Sequence, residues 1–161
     1  MKLIEGEYVK KIFHHHLTPF LYTLLKLFIG FAPFVFLYYF LMPVVSSLVF
    51  FILVLILILL FLITLAYVSL IYWLDRLYVT NFRVIYVDYK YLTIKDEASA
   101  YLKDIEDILT HEHGFLSYFR FFDYGVVKMD TPSSYVTIIF EDAPNPEGIR
   151  QFIMEARKNV L

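Results

Sequence analysis

The pattern of apolar and polar positions divides the chain into three segments. Residues 27–74 form a run of 48 residues without Asp, Glu, Lys, Arg or His, whereas charged side chains recur on both sides of it. Uncharged runs longer than about 18 residues are typical of membrane-spanning helices. One straight helix of this length would extend roughly 72 Å, more than twice the hydrocarbon thickness of a bilayer. The run must therefore cross, turn and return.

The turn is predicted where the sequence reads MPVVSS, because proline lacks an amide donor and serine caps helices. We predict membrane helices at 27–42 and 48–73 and a turn at 43–47. The apolar stretch 17–25 leaves open an earlier start of the first helix, with Lys26 extending toward the headgroups.

A different pattern follows the run and predicts a mainly-β domain at 75–161. Short β-rich runs separated by Gly, Pro, Ser and Asp are typical of antiparallel strands. They lie at 77–80, 83–88, 93–95, 98–102, 105–113, 125–130 and 135–140.

A helix is predicted at the end of the chain. Asn145 is a good N-cap and Pro146 suits the first helical position. The apolar residues that follow have helical spacing, and we expect Phe152, in the middle of their stripe, to be buried. The stripe comprises Ile149, Phe152, Ile153, Ala156 and Val160.

The charge distribution orients the predicted hairpin. The turn carries no basic residue, whereas four basic residues flank the helices, namely Lys10, Lys11, Lys26 and Arg76. Because Lys and Arg are enriched in cytoplasmic segments, we expect a cytoplasmic and interfacial lead at 1–26 and a cytoplasmic 75–161 domain. The predicted location is a bacterial-type plasma membrane. The domain carries ten basic and fourteen acidic side chains, a net charge of −4, which disfavours nucleic acid as a partner.

The polar clusters offer no catalytic constellation. His14, His15 and His16 are consecutive and would point in different directions on a helix. His111 and His113 would share one face of a strand but lack a third ligand. The carboxylates Asp104, Glu106 and Asp107 are expected to be solvated. The absence of cysteine excludes thiolate sites. We expect a protein without catalytic, metal-binding or cofactor-binding residues.

Motifs spread over nearly the whole chain resemble those of the bacterial pleckstrin-homology-like (PH-like) membrane-flanked domain proteins. They are Gly6-Glu7, the basic and His-containing stretch 10–15, Tyr78-Val79-Thr80-Asn81-Phe82-Arg83-Val84-Ile85, Leu102-Lys103-Asp104-Ile105-Glu106-Asp107-Ile108, Tyr124-Gly125-Val126-Val127 and Pro144-Asn145-Pro146-Glu147. The resemblance implies a membrane hairpin and a seven-stranded PH-like β-barrel or sandwich closed by a C-terminal α-helix. It implies no catalytic residue set, because fold does not determine activity.

The chain departs from the family at 115–122, where a glycine-rich loop is common and this sequence is aromatic. The apolar residues of this loop are Phe115, Leu116, Tyr118, Phe119, Phe121 and Phe122. A small barrel has little room for six such side chains, so those left outside would form a contact surface for the membrane or a partner. The alternative is that the loop folds under the barrel and caps its core.

Two functions are consistent with these features. The first is a non-catalytic, membrane-anchored PH-like interaction or scaffolding module at the cytoplasmic face, with a protein partner or a second copy of itself as ligand. The alternative is an accessory of the cell envelope that senses the bilayer or its lipids through the interfacial lead and the aromatic loop. Specific phosphoinositide binding is disfavoured, since the link between the first two predicted strands carries Arg83 as its one basic residue.

Overall fold

The computed structural model describes residues 2–112, 123–131 and 137–159. The chain forms two compact units: a helical unit, Pro19–Leu70, and a β unit made of Met1–Thr18 and Ile71–Leu161. The elements in chain order are β1 (Val9–His14), α1 (Leu17–Leu41), α2 (Ser47–Leu74), β2 (Arg76–Thr80), β3 (Arg83–Tyr91), β4 (Ile94–Tyr101), a 3₁₀ turn (Leu102–Asp104), β5 (Asp107–Glu112), β6 (Tyr124–Asp130), β7 (Thr137–Pro144) and α3 (Pro146–Lys158).

The two apolar helices are α1 and α2. They comprise 25 and 28 residues, and both are long and apolar enough to cross a membrane. α1 starts at Leu17, the earlier of the two starts that the sequence left open. Pro19 is tolerated there because the first helical turn needs no amide donor. The rings of Phe28 and Phe31 lie 5.1 and 5.0 Å from that of Phe61, so the two helices contact each other along their apolar faces.

The first sheet joins residues from both sides of the helices. Its strand order is β1-β2-β3-β4, and all neighbours are antiparallel. β1 precedes α1 and pairs with β2, which follows α2; Ile12 lies opposite Tyr78 and Phe13 opposite Leu77. The lead expected at 1–26 is therefore corrected: residues 9–14 are a strand of the β unit. The sequence analysis did not predict this strand, because its pairing partner β2 lies on the far side of both helices in the sequence.

The second sheet has the order β5-β6-β7, again antiparallel. The described strands thus form two separate sheets, which do not close into the barrel that the resemblance implied as one of two arrangements, the other being a sandwich. Two antiparallel sheets with a C-terminal helix fit the coarser expectation of a PH-like fold. The short strands expected at 93–95 and 98–102 are one continuous strand, β4, which pairs with β3 along most of its length.

The core of the β unit lies between the sheets and α3. Asn145 caps α3 by accepting a hydrogen bond from the Gly148 amide at 2.9 Å, and Pro146 occupies the first helical position, as predicted. The prediction that Phe152 is buried was only partly correct, since this ring is partly buried and packs against Phe13. The buried core residues of α3 are Ile149, Ile153 and Ala156.

Candidate functional site

One buried carboxylate fastens the N-terminal segment to the turn between β2 and β3. The Glu7 side chain is fully buried, and its Oε1 accepts hydrogen bonds from Thr80 Oγ1 at 2.8 Å and from Arg83 Nε at 2.9 Å. Its Oε2 accepts from the Ile4 amide at 2.8 Å and from Arg83 Nη2 at 3.1 Å. Hydrogen bonds from Arg83 lower the pKa of Glu7 and outweigh the opposing effect of burial.

Asn81 completes this attachment through three hydrogen bonds. Its Oδ1 accepts from the Tyr8 amide at 2.9 Å, its Nδ2 donates to the Gly6 carbonyl at 3.0 Å, and its own amide donates to the Tyr8 carbonyl at 3.1 Å. We call residues 4–8 together with 80–83 the N-terminal clasp. Two of the motifs on which the family resemblance rests therefore contact each other directly.

A polar pocket of about 350 Å³ opens elsewhere in the β unit, and we call it the acidic pocket. It gathers residues from before α1, from the end of α2, and from β3 and β7. No Lys or Arg lines it in the part of the chain that the structure describes. The lining residues are His15, Tyr72, Asp75, Tyr86, Asp88, Ile139, Glu141 and Asp142.

His15 is held in the pocket wall in a defined orientation. Its side chain is 9% exposed, and Nδ1 lies 2.7 Å from the carbonyl oxygen of Glu141. A carbonyl oxygen only accepts, so Nδ1 carries a proton and donates it to this hydrogen bond. Nε2 is buried without a hydrogen-bond partner among the described residues. Asp75 Oδ2 lies 3.9 Å from it, beyond hydrogen-bonding distance.

Negative charge is concentrated around the pocket. Burial raises the pKa of Asp75, although its Oδ1 accepts a hydrogen bond from the Tyr89 amide at 2.6 Å. The pKa of Tyr86 is raised as well, first by burial and then by four neighbouring carboxylates, those of Asp88, Asp75, Glu141 and Asp142.

The four basic residues expected beside the membrane lie in three elements. Lys10 and Lys11 are in β1, Lys26 is in α1 and Arg76 is in β2. Among the described residues, Lys11 Nζ lies 4.8 and 5.0 Å from the ring centroids of Phe13 and Phe152. Lys26 Nζ lies 4.3 Å from the ring centroid of Tyr22, and Arg76 Nε donates to the Trp73 carbonyl at 3.1 Å. Their contact with the membrane stays a prediction.

The three consecutive histidines lie in three different environments. His14 ends β1 beside Trp73, and burial lowers its pKa. His15 lines the acidic pocket, and His16 stacks on Tyr124 with 5.5 Å between the ring centroids. Among the described residues no group of three or more His, Asp or Glu side chains is arranged to hold a metal ion.

The remaining predicted sites divide into those that the structure describes and those that it does not. Asp104, Glu106 and Asp107 are exposed, as expected. His111 lies in β5, whereas its expected neighbour His113 is outside the described residues. The whole aromatic loop also lies outside the described residues, so its proposed contact with the membrane or a partner stays a prediction. Its apolar residues are Phe115, Leu116, Tyr118, Phe119, Phe121 and Phe122.

The sequence analysis missed the acidic pocket. Its carboxylates are Asp75, Asp88, Glu141 and Asp142, which lie up to 67 positions apart and form no motif. One signal was available: Asp75 directly follows the uncharged run 27–74, and His15 lies just before the apolar stretch 17–25 that leads to it. Only the pairing of β1 with β2 shows that these two ends meet.

Comparison with known proteins adds one weak likeness. No family model matches the chain, and no curated protein matches it. The crystal structure of a DUF1696 family protein with a pleckstrin-homology domain from Shewanella loihica PV-4 is similar at a TM-score of 0.40 and 18% sequence identity, over 52% of this chain and 70% of that chain. A likeness of this degree carries no conclusion about what this chain binds.

Proposed function

We propose that this chain is a membrane-anchored, non-catalytic binding module, in which a helical hairpin holds the β unit at the cytoplasmic face of the plasma membrane. The observation that carries the proposal is the antiparallel pairing of β1 with β2 on either side of the two apolar helices. The chain leaves the β unit through α1 and returns to it through α2. If the helices cross the bilayer, both ends of the hairpin therefore lie on one side.

The N-terminal clasp supports the same conclusion. Glu7 and Arg83 form a buried ion pair at 2.9 Å although the whole hairpin separates them in sequence. Breaking such a pair leaves an uncompensated buried charge. The ion pair therefore stabilises the contact between the segment that precedes α1 and the segment that follows α2. The basic residues Lys10, Lys11 and Arg76 lie in this same β unit, which favours the cytoplasmic side for it.

Binding is favoured over catalysis by the groups in the acidic pocket. Nucleophilic catalysis requires a nucleophile hydrogen-bonded to a general base. His15 Nε2 has no such partner among the described residues. Carboxylate and phenol oxygens instead offer hydrogen-bond acceptors to a ligand.

We propose that the module also binds a protein partner or a second copy of the chain. The hairpin of β3 and β4 exposes three large apolar side chains at its tip, with exposed fractions of 58% for Tyr91, 40% for Leu92 and 52% for Ile94. Clustered apolar residues at a sheet edge are typical of interaction surfaces. Crosslinking in native membranes from a photoreactive residue at position 92, with position 103 as control, tests this assignment.

Single-cysteine labelling tests the topology, because the chain has no cysteine of its own. Ser46 lies between α1 and α2, and Lys103 is an exposed residue of the β unit. We expect Ser46→Cys to react with a membrane-impermeant maleimide in intact cells and Lys103→Cys to react only after lysis. Labelling of both positions in intact cells would refute the cytoplasmic assignment.

A cross-strand disulfide tests the pairing of β1 with β2 directly. Ile12 and Tyr78 are opposite residues of β1 and β2. The double variant Ile12→Cys/Tyr78→Cys should form an intramolecular disulfide on mild oxidation in membranes, whereas Ile12→Cys/Lys103→Cys should not. Equal crosslinking of the two pairs would remove the basis of the proposal.

A further inference from the structure

We propose that the tip of the β3–β4 hairpin docks into the headgroup layer of the bilayer that holds the two apolar helices. The β-hairpin tip is residues 89–95, which comprise the end of β3, the turn and the start of β4. Three large apolar side chains are exposed there, namely Tyr91, Leu92 and Ile94. The docking rests on the membrane anchoring proposed above and adds a contact between the β unit and the surface of the bilayer.

The register of the first sheet places this tip at the end where the chain passes to and from the helices. β1 ends at His14, just before α1, and β2 begins at Arg76, just after α2; these two residues lie opposite each other. Arg76 also lies opposite Val87 in β3. β3 then continues through residues 88–91, which extend about 13 Å at the rise of an extended strand. The tip therefore projects past the level at which the chain leaves the sheet for the apolar helices.

Hydrogen bonds join the base of the tip to the last turn of α2. The Tyr89 amide donates at 2.6 Å to Oδ1 of Asp75, the residue that directly follows α2. Arg76 Nε donates at 3.1 Å to the carbonyl oxygen of Trp73, in the last turn of α2. The Trp73 side chain is 53% exposed, and tryptophan is enriched where membrane helices meet the headgroups. These bonds hold the tip beside a residue that suits the headgroup level.

The chemistry of the exposed side chains suits this layer. Tyr91 combines an apolar ring with a hydroxyl group, a combination that is enriched at membrane interfaces. Leu92 and Ile94 are wholly apolar, so their transfer from water to the lipid boundary is favourable.

The charged residues of the hairpin do not supply a net attraction to anionic lipid. Lys90 Nζ lies 2.5 Å from Asp96 Oδ2, and Lys95 Nζ lies 3.5 Å from Glu97 Oε2. Because these carboxylates offset both lysine charges, removal of apolar surface from water drives the docking.

The position of the tip favours the bilayer over a soluble protein as the surface that covers it. A chain anchored by its own helices keeps the tip within reach of the headgroups, so docking is an intramolecular step, whereas a soluble protein must first be recruited. A protein that also contacts the tip must then do so within the headgroup layer, and we expect such a protein to be membrane-anchored.

Fluorescence quenching by lipid tests the docking in the full-length chain in lipid nanodiscs. A nitrobenzoxadiazole label is attached to Leu92→Cys, and the matched control is the same label on Lys103→Cys, an exposed position just past the opposite end of β4. A nitroxide on the headgroup of phosphatidylcholine should quench the label at position 92 about threefold more strongly than the label at position 103, because docked apolar residues lie at the headgroup boundary. Equal quenching at the two positions overturns the proposal.

Variants of matched charge identify the side chains that dock. With the label on Tyr91→Cys, Leu92→Glu/Ile94→Glu should lower quenching to the level seen at position 103, because carboxylates resist transfer out of water. Tyr101→Glu/Leu109→Glu adds the same charge at exposed apolar positions outside the tip and should leave quenching unchanged. Circular dichroism checks that both variants are folded. Equal effects of the two variants would mean that the tip is not the docking surface.

Lipid composition separates apolar docking from attraction to anionic lipid. Discs of neutral phosphatidylcholine and discs that also contain phosphatidylglycerol should quench the label at position 92 equally, because apolar burial does not depend on headgroup charge. Quenching that is confined to the anionic discs overturns apolar docking.

Two further results distinguish this proposal from the proposed function. An unquenched label at position 92, together with protein adducts from a photoreactive residue there, assigns the tip to a protein alone and overturns docking into the bilayer. Cysteine labelling at positions 46 and 103 tests the anchor and does not depend on the tip. A chain that spans the membrane by that labelling but shows no quenching at position 92 therefore refutes the docking and leaves the proposed function intact.

Discussion

Glu7 and Arg83 form an ion pair, 2.9 Å between Oε1 and Nε, across 76 positions of sequence that include both apolar helices. The Glu7 side chain is fully buried and that of Arg83 is 15% exposed. Because Thr80 and the Ile4 amide share the same carboxylate, the pair belongs to a satisfied hydrogen-bond network. Such networks contribute to stability mainly through the large penalty for removing one member.

Glu7→Ala should therefore destabilise the β unit by about 3 kcal/mol, since it leaves the Arg83 guanidinium without its buried partner. The measurement is denaturant unfolding of the full-length chain in detergent, followed by circular dichroism in the β-sheet region. Glu5→Ala is the control, because Glu5 is exposed and should contribute little. Losses that simply add in the Glu7→Ala/Arg83→Ala double variant would contradict a direct interaction.

The same pair predicts a pH dependence of stability. The pKa of Glu7 is lowered in the folded state, chiefly by hydrogen bonds from Arg83, below its ordinary value of 4.5. The unfolded state then binds the proton more readily, so this stabilisation is fully present above about pH 4.5 and is lost as pH falls through the folded pKa. We expect the difference in unfolding free energy between wild type and Glu7→Gln to shrink between pH 6 and pH 3. A difference that stays constant would show that Glu7 does not titrate with folding.

The buried stripe of α3 gives a packing prediction with a neighbouring control. Ile153 is fully buried in the core, whereas Met154 is 39% exposed. Ile153→Ala should lower the unfolding free energy of the β unit by about 2–5 kcal/mol through lost burial and the cavity left behind. Met154→Ala should lower it by much less. Equal losses in the two variants would mean that α3 does not pack through this face.

Gly125 is required by a close approach of two strands. It lies where the pairing of β6 with β7 shifts register, and a Cβ built there would lie 1.9 Å from the carbonyl oxygen of His111 in β5. Because the obstacle is backbone, Gly125→Ala should destabilise the β unit by about 3 kcal/mol. Gly30→Ala is the matched control, since no atom lies within 4 Å of its Cβ position. A fully stable Gly125→Ala variant would contradict this strand arrangement.

Local chemistry in the sequence determined several elements. The uncharged run predicted two apolar helices and their turn near Pro43. Backbone hydrogen bonds in a helix join residues four positions apart, and the length of a helix follows from its number of residues, so neither depends on distant segments. Asn145 and Pro146 predicted the start of α3 for the same reason, since a helix cap acts within one turn. The β-rich runs separated by Gly, Pro, Ser and Asp similarly predicted the core strands β2, β3 and β6.

Only the tertiary structure decided which distant segments meet. Strand β1 has no turn signal that links it to its partner, because the connection to β2 is the helical hairpin itself. The clasp and the acidic pocket depend on that pairing, which brings Glu7 to Arg83 and His15 to Asp75. Hydrophobic periodicity reports which face of an element is buried, but the identity of the element that covers it is a property of the folded chain.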